Sequence, residues 1–262
     1  MTRTLSVLAT LTLLAAAPLQ AAEPSGSRSH LDQVLKQGVV RVCTTGDYKP
    51  FTYLDPQTEK FEGIDIDMAK DLAEALGVEA EFVPTSWPTL MQDFTAGKCD
   101  IAMGGISVNL DRQQKAYFSI PYFKGGKTPI TRCENVDKFQ TLEQIDRPGV
   151  TAIVNPGGTN ERFARANLDE AEIVMYDDNV TIFKQIVAGE ADLMMTDAIE
   201  TVLQANLNPE LCAVHPEAPF TYSEKGYLLP RGDEVWKAWV DQWLHLTKAT
   251  GEFDAIKDKW LE

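Results

Sequence analysis

Histidine is scarce in this chain, cysteine is little used, and positive charge is in deficit. The three histidines, His30, His215 and His245, are scattered through 262 residues, and the four cysteines, Cys43, Cys99, Cys133 and Cys212, form no Cys-x-x-Cys pair. No metal-ligand spacing is visible, so no metal is expected. Lysine and arginine number 24 against 39 aspartates and glutamates, a net charge of −15. Such a balance argues against nucleic acid and against an anionic membrane surface as partners. It leaves room for an anionic ligand, because a cleft can be locally basic on an acidic protein. Past residue 21 no apolar run is long enough to span a bilayer.

Residues 1–21 stand apart. Arg3 supplies a positive start, LSVLATLTLLAAAPL an apolar stretch, and Leu19-Gln20-Ala21 a small-residue cleavage site. This is the pattern of a secretory signal, cleaved on export to the periplasm. Arg3 is its only charge, so its loss takes the net charge from −15 to −16. Export makes disulfides possible. Cys133 and Cys212 flank the expected second lobe in polar surroundings and form the candidate pair. Cys43 and Cys99 lie in or beside apolar strands and are expected as buried thiols.

What the chain does contain is one pattern twice. Residues 89–104, TLMQDFTAGKCDIAMG, and 181–196, TIFKQIVAGEADLMMT, align without a gap and agree at five of sixteen positions. Each reads as an amphipathic helix, a glycine stop and a buried strand. Two such units predict an α/β protein with two similar lobes, each a mainly parallel sheet flanked by helices. Ligands of open α/β sheets sit beyond the carboxyl ends of the strands, which directs attention to 104–112 and 197–200. Residues 30–126 with 224–262 are assigned to the first lobe and 127–223 to the second. The Pro- and Gly-punctuated stretch YFSIPYFKGGKTPIT and the later FTYSEKGYLL supply two crossovers. Trp236, Trp239, Trp243 and Trp260 mark amphipathic terminal helices that pack against a lobe.

Several residues at these strand ends could carry chemistry. Arg112 could clamp a carboxylate with two parallel donors, or be a solvated arginine in the run DRQQK. Asn155-Pro156-Gly157-Gly158-Thr159-Asn160 joins a strand to a helix whose free N–H groups would attract an anion, or is an ordinary capped turn. Asp197 and Glu200 have capping-box spacing. If they instead share a cleft, close like charge and desolvation would raise one pKa and make a general acid. Tyr48, Phe51 and Trp87 follow the first strands; Tyr48 and Trp87 are expected to be the exposed pair, forming a wall for a flat ligand. Lys127, in the crossover, could reach a second carboxylate or be a surface lysine.

From about residue 34 onward the chain resembles the periplasmic amino-acid-binding proteins of ABC transporters, solute-binding family 3. The segments that carry this are GDYKPF, FEGIDIDMAKDLAEALG, GGISVNLDRQQKAYFSIPY and GEFDAIKDKW. The resemblance implies a type II periplasmic-binding-protein fold. It implies that Tyr48 and Trp87 line the site and that Arg112, in the motif opened by Ser107, clamps a carboxylate with Gly158 and Thr159. Asp197 would take an amino group. A narrower resemblance, through TTGDYKPF, VPTSWPTLM, KTPIT, FQTLEQID, VTAIVNPGGTNERFARANL, DNVTIF, ADLMMTDAIE and ELCAVHP, is to the exported cyclohexadienyl dehydratases, which turn prephenate into phenylpyruvate and arogenate into phenylalanine. Many plain binders have an apolar or small residue where Glu200 stands, and a neutral one at Lys127. The resemblance therefore implies Glu200 as catalytic acid, with Lys127 and Asn155 in the site, small-molecule substrates and no cofactor. A transport binding protein is the alternative. Nothing in the sequence opposes a homo-oligomer.

Overall fold

Strand Val39–Thr44 alternates half-buried and buried residues and then buries its last three, so its carboxyl end runs into the interior. In the computed structural model, which describes residues 29–261, this strand is second of five in the sheet of the first lobe. The expected secretory signal at 1–21 lies outside the described residues. Val39–Thr44 pairs in parallel with Glu79–Pro84 on one side and Ile101–Ala102 on the other. Antiparallel Leu228–Pro230 and then Ala116–Phe118 complete five strands. The second lobe repeats the plan. Thr151–Val154 lies parallel between Glu172–Met175 and Leu193–Asp197, followed by antiparallel Lys127–Arg132 and then Leu211–Ala213. In each sheet the fourth strand in that order runs against its neighbours, so both sheets are mixed. Phe123–Gly125 and Ser223–Lys225 pair antiparallel where the chain crosses between lobes.

The structure explains the repeated sequence. Helices Leu90–Thr95 and Ile182–Ala188 stop at Gly97 and Gly189, both left-handed with φ of 74° and 80°. The shared aspartate then fastens the next strand to its neighbour. Asp100 Oδ2 accepts from Arg41 N at 2.9 Å, and Asp192 Oδ2 accepts from Thr151 N at 2.9 Å. The backbone N–H of each aspartate donates back to the same residue's carbonyl, again at 2.9 Å. An aspartate carboxylate, buried at Asp100 and half-buried at Asp192, thus registers the parallel pair in both lobes at the same place.

Behind the first repeat strand lies a second buried carboxylate, Asp65, on helix Ile64–Leu76. Its Oδ2 accepts from Gly104 N at 2.8 Å, Gly105 N at 2.6 Å and the Tyr122 hydroxyl at 2.6 Å; its Oδ1 accepts from the Tyr227 hydroxyl at 3.2 Å. Burial pushes this carboxyl up to about 6 even though all four donors favour the charge. The network sets the loop that leads to Ser107 and Arg112. The terminal helices Glu234–Ala249 and Glu252–Lys259 cover the first lobe. Trp236, Trp243 and Trp260 donate their indole N–H groups to Asp100 O, Asp71 and Asp67 respectively.

Cys133 and Cys212 are joined, with a Cα–Cα distance of 4.8 Å. Cys43 and Cys99, expected as buried thiols, also form a disulfide, with Cα atoms 5.6 Å apart. Both are nearly inaccessible. Their apolar setting identified burial correctly, but the pairing follows from tertiary placement: Cys99 lies two residues before the strand that pairs with Cys43 through Ala102.

Asp65→Ala would leave four buried donors unmet. At about 1–3 kcal/mol for each unsatisfied buried group, with partial relaxation, a loss of about 3 kcal/mol or more is expected. The urea unfolding midpoint measures it.

Candidate active site

The carboxyl ends of both repeat strands, both crossover strands and the Asn155–Asn160 loop converge between the lobes. At their centre is Asp197, the last residue of strand Leu193–Asp197. Its Oδ2 accepts from the Tyr48 hydroxyl at 2.6 Å and contacts Lys225 Nζ at 2.7 Å and Lys127 Nζ at 3.0 Å. Asp197, Lys127 and Lys225 are 3%, 4% and 2% exposed. Burial raises the Asp197 carboxyl, but the charges of Lys127 and Lys225 and the Tyr48 hydroxyl outweigh it and hold the group below the usual carboxylate range. Burial pushes Lys225 down to about 8, against the pull of Asp197.

The spacing of Asp197 and Glu200 allowed a capping box, and the structure does not form one. Asp197 occupies the N-cap position of helix Ala198–Leu207, but its side chain makes no cap bond and turns to the lysines. Glu200, 1% exposed, accepts on Oε2 from the Thr196 hydroxyl. Burial pushes its carboxyl up to about 8. Asp197 adds to that rise, while Thr196, Lys127 and Lys225 oppose it. Two neighbouring carboxyls therefore sit in opposite protonation states at neutral pH.

Around them, Ser107 Oγ accepts from Lys225 Nζ at 2.9 Å and lies 3.5 Å from Thr159 Oγ1 across the cleft. The 106–108 segment is fastened to the second crossover strand by Val108 N–Glu224 O at 2.8 Å and Gly226 N–Ile106 O at 3.1 Å. Arg112 is buried and donates from Nη1 to Ser107 O at 3.0 Å. Burial, and secondarily Arg162, lowers its pKa to about 10. Gly158 is the N-cap of helix Thr159–Asn167 and makes no side-chain cap bond. Trp87 is half-buried, edge-on to Tyr48 with ring centroids 5.8 Å apart. Tyr48, expected to be exposed, is buried, because closure brings Asp197 onto its hydroxyl; Phe51 is wholly buried beside it.

The cleft is tightly shut. Tyr48, Trp87, Ser107, Asn155, Gly158, Thr159, Asp197 and Lys225 all border a cavity of only about 20 Å³. Arg112, Lys127 and Glu200 stand behind it. Glu200 borders a second cavity of about 140 Å³, together with Asp47, Asn179 and Gln204. Gly157, at φ 79°, approaches Pro88 so closely that a Cβ would lie 2.6 Å from Pro88 N. An exposed pair, Arg162 Nη1–Asp111 Oδ2 at 3.0 Å, links the lobes at the rim. The sequence reading missed Lys225 and Thr196, and named Asn160 only as the end of the candidate loop. Lys225 had a visible signal, a lysine inside the second crossover segment; Thr196 had none beyond its neighbours.

With fold and cleft in view, the chain belongs to the bacterial extracellular solute-binding proteins, family 3, whose pattern matches residues 40–262. Within it, the chain is 62% identical over 257 residues to the cyclohexadienyl dehydratase of Pseudomonas aeruginosa, covering 97% of this chain and 92% of that protein. It is 26% identical to an L-cystine-binding protein of Escherichia coli, over 88% of this chain and 85% of the other. A solved ancestral amino acid-binding protein, described as a precursor of cyclohexadienyl dehydratase, superposes with a TM-score of 0.83 at 36% identity, covering 89% of this chain and all of that one. A solved ancestral cyclohexadienyl dehydratase shares 52% identity with a TM-score of 0.57, over 90% and 97% of the chains.

Because the Glu200 carboxyl ionises near 8 when folded and near 4.5 when unfolded, the folded chain holds the extra proton between those values. Its contribution to stability is full below about 4.5 and is lost as pH rises through 8. Glu200→Gln removes this dependence, so its melting temperature should gain on that of the parent between pH 5 and pH 9. Parallel thermal melts across that range test the sign.

Proposed function

We infer that this chain is a lyase acting as a cyclohexadienyl dehydratase, converting prephenate to phenylpyruvate and arogenate to phenylalanine in the cleft between its lobes. The observation that carries the reading is the buried Glu200, holding a proton at neutral pH beside an ionised Asp197 and two lysines. A pure binding site has no need of a proton donor there. The 62% identical relative supports the same chemistry.

Prephenate carries two carboxylates and a ring hydroxyl on a cyclohexadiene. Counting Lys127, Lys225 and Arg112 as positive, Asp197 as negative and Glu200 as neutral, the site holds a net charge of +2, which complements a dianion. Arg112, Ser107 and the N–H groups at Gly158–Thr159 hold one carboxylate, and Asn155 orients it. Lys127 and Lys225 neutralise the remainder. Tyr48 and Trp87 flank the ring, and Asp197 receives the amino group of arogenate. Glu200 gives its proton to the ring hydroxyl. The C–O bond breaks and water departs. The electrons of the bond to the ring carboxylate move into the ring, CO2 departs, and the ring becomes aromatic. Glu200 is left as a carboxylate and takes one proton from solvent for each prephenate consumed. The interlobe cavity is far below the roughly 300–1,000 Å³ of ordinary ligand sites, so substrate is admitted as the lobes part and the Tyr48–Asp197 contact breaks. Closure then removes water from around the charges.

Export is part of the same reading. The family is extracellular, and two disulfides suit an oxidising compartment.

Purified protein mixed with prephenate should release phenylpyruvate; binding without turnover would return the chain to the transport binding proteins. Glu200→Gln should lower kcat by about 10²–10⁴-fold, the usual yield of general acid catalysis, while substrate still binds. In the parent enzyme kcat should fall as pH passes about 8, where Glu200 loses its proton.

A further inference from the structure

We propose that Thr196 and Asn160 are positioning residues that confine the transferable proton of Glu200 to one oxygen, Oε1. The proposal rests on the dehydratase reading of Glu200 and concerns how that acid is oriented.

The argument is one of donor direction. An ammonium group has three donors and no acceptor. Lys127 Nζ contacts Asn160, so the atom it meets is the amide oxygen, Oδ1. That fixes the amide, and Nδ2 on its other side donates to Thr196 Oγ1 at 3.1 Å. Thr196 Oγ1 has two partners, Asn160 and Glu200. The first gives a proton, so the hydroxyl's single hydrogen has only Glu200 Oε2 to go to. Thr196 is wholly buried and has no solvent to turn to, and an unmet donor there would be costly. An oxygen that accepts from Thr196 is the carbonyl oxygen of the neutral acid. The acid proton then resides on Oε1, the oxygen to which this network donates nothing.

The chain Lys127–Asn160–Thr196–Glu200 thus runs in one direction, and its sense is set by a cation that can only donate. The same chain serves the state after transfer. Once Glu200 is a carboxylate, the Thr196 hydroxyl still donates to it, and the polarity of the lysine reaches it through two neutral links. In the first copy of the repeat, the position of Thr196 is Gly104 and that of Glu200 is Val108, so neither donor nor acid is present there.

The charged and titratable groups facing Glu200 are Asp197, Lys127, Lys225 and Tyr48, with Asp47 and Lys49 across the second cavity. Thr196→Val removes, at nearly constant volume, the hydroxyl that donates to Glu200 and accepts from Asn160 Nδ2, which keeps Asn155 Oδ1 at 3.4 Å. Full-length mature protein carrying Thr196→Val should lose about 10- to 100-fold in kcat, the scale of one hydrogen bond to a charged group. KM should stay within about threefold, because Thr196 does not border the substrate cavity. The alkaline limb of the kcat profile should move up by about one pH unit, since the carboxylate loses a donor. A packing defect alone would not move that limb. Thr196→Ser should restore both limb and rate. Should the valine variant fail to fold by circular dichroism, Thr196→Ala is read against the same expectations. Wild-type kcat and an unmoved limb in the folded hydroxyl-free variant, with Glu200→Gln inactive, overturn the proposal alone. A fully active Glu200→Gln instead removes the assignment of Glu200 on which it rests.

Discussion

The contact on which the rest of the site depends is the carboxylate of Asp197 between two buried lysines. Burial pushes Lys225 down to about 8 against the pull of Asp197, and the buried Asp197 carboxylate stays ionised because the two lysines face it. Asp197 also receives the Tyr48 hydroxyl from the opposite lobe, so the same ion joins the two halves in the closed form. Its ionisation then acts on its neighbour: a fixed negative charge beside a desolvated carboxyl helps keep the proton on Glu200. One aspartate organises the cations, the lobe contact and the acid.

Two carboxyls three residues apart thereby come to differ in protonation. Their environments explain the split. Asp197 has three donors on one oxygen and charge on two sides; Glu200 is buried with one hydroxyl donor. Opposed environments of this kind mark the acid and the fixed anion of many sites. The helix N-terminus beneath Glu200, which favours a charged form, is outweighed by burial.

Much of this architecture was legible in the chain. The repeat located the two strand ends because glycine stops and the strand-fastening aspartate are local requirements, written at fixed spacing. Glu200 and Asp197 were visible as a pair, but spacing fits a helix cap as well as a cleft, and only the lysines, which arrive from distant segments, decide between them. Lys225 escaped because its importance comes from meeting Asp197, 28 residues earlier, across a crossover with no periodic pattern. The Cys43–Cys99 bond escaped for a similar reason. Apolar surroundings reveal that a cysteine is buried and say nothing of which other buried cysteine lies within reach.

The two crossover strands carry a consequence for how a ligand is met. Lys127 opens the strand that follows the first crossing, and Lys225 closes the second crossing strand itself. Gly126 lies against Thr221 so tightly that no side chain would fit between them. When two lids turn about a common spine, points on the spine travel least. The two lysines sit there, with Ser107 tied to Lys225, whereas Thr159 stands on the facing wall of the cleft. In the closed form, then, positive charge lies at the joint between the lobes, and a dianion entering the cleft would meet it at the floor, with the walls left to set its orientation.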